Sequence, residues 1–179
     1  MSIYYPGCPD NIPNPSCSDC PSRELGDVRS LFFVKKSYSF ADITDASEWY
    51  TAIAAGSIYV FPYTKGSMSQ TATESAGYGD QETTLEGYEY VIDAMEPNYK
   101  DNWGFWDAIK NSKNWRVGYR TESLVHLADN VCQVTPTQPV TEDKKAAVVW
   151  NINVKFSQDD LLRPYDVPTG VFDICIDNA

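Results

Sequence analysis

Apolar side chains fall on every second residue in three separate stretches, and that periodicity restricts the fold more than any other feature of the chain. In Ala146–Phe156, Val148, Trp150, Ile152, Val154 and Phe156 alternate with Val149, Asn151, Asn153 and Lys155. Tyr88, Tyr90 and Ile92 alternate with Glu89, Val91 and Asp93, and Trp115, Val117 and Tyr119 share one face of a third stretch. A period of two belongs to a strand with one buried face and one face in solvent, the usual condition of antiparallel sheets. Further strands are predicted over Val28–Tyr38, Ile58–Phe61, Thr84–Ala94 and Val171–Ile176, near Val131–Thr135, and in a short Leu124–Leu127 segment. Only two helices interrupt them. In the first, Asp45 and Glu48 stand in capping-box spacing before Trp49, Ala52 and Ile53, and Gly56 closes the end. The second spans Trp103–Ile109, capped by Asp101 or Asn102, with Phe105, Trp106 and Ile109 turned to a sheet. Two helices are too few for parallel crossovers, so the expected fold is mainly β: an antiparallel β-sandwich or barrel with two short helices and a long extended arm.

The arm is the stretch from Tyr63 to Glu86, small and polar and almost devoid of core-forming side chains. A connection of that length without structure of its own is uncommon inside a compact domain, and it is expected to be a binding loop. It reads as a segment that leaves the body and orders against a neighbouring copy, with Ser67, Met68, Gln70, Tyr78, Asp80 and Glu82 as the candidate interface residues. Residues 1–22 form a Cys/Pro-rich extended segment, and 23–179 a single domain. Cys17-x-x-Cys20 has the spacing of half a zinc site, and Cys8 could add a third thiolate. A second pair of ligands is missing, so no metal is assigned, and zinc binding, pairing and free thiols stay open for these three. Five cysteines, an odd count, fit reduced thiols better than a disulfide framework.

At 179 residues the chain can bury a core without metal or disulfides. Its net charge of −11 argues against sequence-specific binding of nucleic acid and against an anionic membrane. Seven carboxylates (Glu74, Asp80, Glu82, Glu86, Glu89, Asp93, Glu96) and no Lys or Arg lie between Gly66 and Glu96, so any surface built there is predicted to be acidic. No apolar run reaches the length of a membrane span, and the first residues lack the regions of a signal peptide, which predicts a protein made and kept in a cytoplasm. The single His126 leaves one imidazole for a triad, and no G-x-S-x-G surrounds any serine. Gly77-Tyr78-Gly79 lacks the third glycine of a dinucleotide fingerprint, and Asp159-Asp160 lacks the glutamate that closes a calcium loop. Glu86 and Glu89 could mimic a glycosidase pair, as any acidic surface can. No catalytic, cofactor or metal residue is therefore assigned, and the expectation is a protein that is not an enzyme. The tyrosines and tryptophans leave one other class open, a carbohydrate-binding sandwich whose aromatics stack on sugars.

Several segments together resemble structural proteins of tailed bacteriophages. They are Asp45–Trp49 with Gly56, Phe61-Pro62-Tyr63-Thr64-Lys65-Gly66, Gly77-Tyr78-Gly79-Asp80 leading into Leu85-Glu86-Gly87-Tyr88, Asn102-Trp103-Gly104-Phe105-Trp106, and Trp115-Arg116-Val117-Gly118-Tyr119-Arg120-Thr121. The likeness is to tail-tube-like and related virion proteins of phages infecting Bacteroidota, including the crAss-like group. It implies a β-sandwich with a flanking helix whose copies close a ring by pairing strands across subunits, while a long loop or hairpin reaches the next ring. Partners would then be copies of the chain and other virion proteins, and its location the virion, assembled in the host cytoplasm. A head auxiliary (decoration) protein or head-to-tail connector would use the same arm to clamp capsomers or a ring. The Cys/Pro-rich start departs from the tube pattern.

Overall fold

The alternating stretches pair into two antiparallel sheets in the computed structural model, which describes residues 24–80 and 82–173. In chain order the first elements are β1 (Ser30–Lys35), α1 (Ala46–Ala54), β2 (Ile58–Phe61), β3 (Lys65–Ser75), β4 (Thr84–Glu96) and α2 (Trp103–Ile109). Then come β5 (Trp115–Arg120), β6 (Leu124–Leu127), β7 (Gln133–Thr137), β8 (Trp150–Gln158) and β9 (Tyr165–Asp166). One sheet has the order β2-β1-β5-β6-β9 and the other β3-β4-β8-β7. The fold is the mainly β antiparallel sandwich expected.

The main core lies between the sheets. Leu31 and Phe33 of β1 and Val117 and Tyr119 of β5 meet Tyr90, Ile92 and Ala94 of β4 and Ile152, Val154 and Phe156 of β8. Tyr90 stacks on its cross-strand partner Phe156 with ring centroids 4.9 Å apart, a pairing that adds to area burial. α2 packs against the same core. Trp106 stacks on Phe61 at 4.8 Å, and its indole N–H donates to the buried carboxylate of Glu96 at 3.4 Å. β1 is buried on both faces, because Phe32 and Val34 enter a second core beneath α1 with Trp49, Ile53, Val171 and Phe172. That is why β1 reads as a continuous apolar run while β4 and β8 alternate.

Asp45 caps α1, accepting from the Ser47 N–H at 3.0 Å. The capping box does not close on Asp45: Glu48 reaches farther back, accepting from the N–H groups of Ala41 (2.7 Å) and Asp42 (2.9 Å) and from the Tyr38 hydroxyl (3.1 Å). Gly56, at φ 75°, ends the helix in a Schellman turn, with Gly56 N–H bonded to Ile53 O and Ser57 N–H to Ala52 O. Asn102 occupies the cap position of α2 without a side-chain bond.

Four expectations need correction. The Tyr63–Glu86 stretch is not an unstructured arm, because Lys65–Ser75 pairs with β4 along its length. β8 begins at Trp150, so Ala146–Val149 of the alternating stretch lie outside it. The strand expected near Val131–Thr135 is β7, Gln133–Thr137, so it extends through Pro136, a position an edge strand tolerates. Val171–Asp173 form a turn whose Val171 and Phe172 are pinned in the second core, and the rest of that predicted strand, with Cys175, lies outside the described residues. The predicted 1–22 segment, with Cys8, Cys17 and Cys20, lies outside them as well.

Candidate interaction surface

A sandwich has four sheet edges, and exposed edges recruit other strands unless they are short or interrupted. Three of the four are blunted here. β2 has four residues and stops at Pro62, β9 has two, and β7 has five with Pro136 among them. The fourth edge, β3, runs for eleven residues with charges only at Lys65 and Glu74.

The direction of its unpaired backbone groups follows from one contact. Gly66 exchanges both hydrogen bonds with Val28, each 3.0 Å, so its N–H and C=O point away from β4. Orientation alternates along a strand, and the register with β4 is unbroken to Thr73. The N–H and C=O groups of Met68, Gln70 and Ala72 therefore face outward too, and no described strand pairs with them. Asp27 lines a cleft with Lys65, Gly66 and Ser67 at the start of this edge, and no backbone bond joins residues 24–27 to Met68, Gln70 or Ala72. Glu24 is drawn to the β5–β6 turn, where its carboxylate accepts from the Thr121 hydroxyl (2.8 Å) and from the Ser123 N–H and hydroxyl (both 2.6 Å). Those bonds, the Ser123 hydroxyl first, hold its carboxyl down at about 2. Gly66 itself is required by the crossing, since a Cβ there would lie 2.3 Å from Asp93 O and 2.7 Å from Ala94 Cα.

β3 and β4 continue past their neighbour. The pairing of β4 with β8 ends at Tyr88↔Gln158, while β3 and β4 pair on to Ser75↔Thr84 through a register shift at Thr73/Glu74. Four residues at a rise of about 3.3 Å carry this two-stranded ribbon roughly 13 Å beyond the sheet before the turn. Ser75 Oγ and Thr84 Oγ1, 3.1 Å apart, fasten its end. In the turn Gly79 has φ 65°, and Tyr78 beside it is 90% exposed.

The predicted interface residues thus fall into two patches. Ser67, Met68 and Gln70 lie on the edge strand, and Tyr78, Asp80 and Glu82 at the ribbon tip. Met68 turns its side chain into the main core, so only its backbone is offered, and the Gln70 amide donates to the Tyr90 hydroxyl at 3.3 Å. Ser67 faces outward opposite Asp93. Of the seven carboxylates between Gly66 and Glu96, Glu96 is 2% exposed and bonded to Trp106 and to the Asn98 N–H, so it adds nothing to the acidic surface.

Elsewhere the reactive groups are structurally engaged. Burial pushes the Cys132 thiol up to about 12, which leaves it protonated and a poor nucleophile. His126 stacks on Tyr119 at 4.7 Å, and burial lowers its pKa. The exposed aromatics Tyr50, Tyr63, Tyr78 and Trp103 stand on α1, the β2–β3 connection, the β3–β4 turn and α2, whereas a sugar platform needs them together. One feature escaped the sequence altogether: Lys110, Lys113 and Lys155 meet at a cleft on the outer face of the four-stranded sheet. Lys110 and Lys113 are neighbours in sequence, but Lys155 lies far along the chain on β8, so only the fold brings it to them. No protein-family model matches the chain, and neither a curated protein nor a solved structure matches it.

Proposed function

We propose that this chain is a self-assembling structural subunit, a virion building block of the tail-tube type, joined to its neighbours through the β3–β4 ribbon. The observation that carries this reading is the contrast among the edges: three are blunted, and the longest is not. Strand addition draws its affinity from main-chain hydrogen bonds, so one geometry can be repeated from copy to copy. The carboxylates at Glu74, Asp80, Glu82, Glu86 and Glu89 are exposed, and with a net charge of −11 they favour a surface that DNA passes without sticking. In this role the partners are copies of the chain and other virion proteins.

The test is to replace Ala76–Thr83 by Asn-Gly, a two-residue hairpin turn that preserves the ladder. Excising all of Met68–Gln81 would instead strip β4 of its neighbour. Negative-stain microscopy should find rings or tubes with the intact chain and dispersed monomers of unchanged circular dichroism with the shortened one. An intact chain that stays monomeric would contradict the proposal, and assembly that survives the replacement would take the ribbon tip out of the contact.

A further inference from the structure

The lysine cleft has no evident part in folding. It measures about 580 Å³ and lies between the outer face of the four-stranded sheet and residues 110–113 after α2. Lys110, Lys113 and Lys155 line it against one carboxylate, Glu89, with Val91 and Val131 as apolar contacts. Lys110 is tied to Asp107 at 2.6 Å, whereas no described carboxylate lies within 4 Å of Lys113 or Lys155. In a chain of net charge −11, gathering three of fourteen basic side chains at one opening favours an acidic occupant.

The ribbon tip has the complementary character. It presents Tyr78 at its apex and carries Asp80 and Glu82, with Glu74 and Glu86 on the ribbon behind and no base among them. Tyrosine is a frequent anchor at interfaces, and a carboxylate rim suits a lysine-lined socket. The tip cannot return to its own cleft. Glu89 of that cleft lies in the same strand, and the ladder that pairs β3 with β4 out to Ser75↔Thr84 carries the tip beyond the sheet and away from it.

We infer that the ribbon tip of one copy seats in the lysine cleft of a second copy, with Tyr78 against Val91 and Val131 and with Asp80 and Glu82 facing Lys113 and Lys155. This rests on the self-assembly reading and adds the surface that receives the ribbon. All four charged groups are exposed, so reversing them leaves the fold intact.

Sedimentation velocity on the full chain tests it. K113E/K155E is expected to weaken association at least tenfold, D80K/E82K to do the same, and the four changes together to recover most of the loss. Tyr78→Ala weakens association without changing its salt dependence, and salt raised from about 0.05 M to about 0.5 M weakens the unmodified contact. If K113E/K155E associates like the unmodified chain while the Asn-Gly replacement does not, the cleft is not the receiver and self-assembly stands. If the combined variant shows no recovery, the pairing is wrong. An unmodified chain that never associates overturns both readings.

Discussion

Gly118 has no room for a side chain. A Cβ there would lie 2.1 Å from Phe32 Cζ and 2.7 Å from His126 O, and Phe32 is itself wedged against Trp49 and Phe172. Gly118→Ala should therefore lower stability in urea unfolding by about 1–3 kcal/mol, the cost of an overpacked core. Glu24 gives a prediction in pH. Its folded-state pKa is lowered from 4.5 to about 2, so its contribution is complete above the unfolded value and is lost as pH falls through the folded one. The stability difference between the unmodified chain and Glu24→Gln should be present at pH 6 to 7, shrink below about pH 4.5 and vanish near pH 2. Neither residue announced itself in the sequence. Glu24 finds its partners 97 and 99 positions away, and the crowding at Gly118 arises only when β1 and β6 close on β5.

Among the elements, those whose strand or helix character comes from their own side chains were legible. β4, β5 and β8 show alternation, α1 its cap and closing glycine, and α2 its aromatic stripe. β3 was not legible, because its only apolar side chain reaching the core is Met68 and its strand conformation comes from pairing with β4. The same β3 yields a paired test. Ala72→Pro removes an outward N–H that no described strand uses, so the monomer should keep its melting temperature within a few degrees and lose its association. Thr71→Pro removes an N–H engaged with β4 and should cost about 1–3 kcal/mol of folding stability. Equal destabilisation by both substitutions, read by thermal melting, would show that the assigned alternation is wrong. The candidate interface residues Tyr78, Asp80 and Glu82 are exposed, and the β3–β4 turn that presents them is not legible in a stretch whose small polar residues spell only a long arm.

At the scale of the molecule, the two sheets, α1 over one outer face and α2 against the main core account for nearly every buried aromatic side chain. Among the described residues, what they leave uncovered is the β3 edge, the ribbon tip and the outer face with its lysines. The first is a backbone surface, the second an acidic peg and the third a basic socket, and the proposed assembly uses all three. Residue-resolved hydrogen exchange on β3, before and after association, tests this most directly. In the monomer, the amides of Met68, Gln70 and Ala72 should exchange fast while those of Ser67, Ser69 and Thr71 are protected by β4, and on association the fast set should become protected. Amides of Met68, Gln70 and Ala72 that exchange equally fast in the associated state would contradict the account.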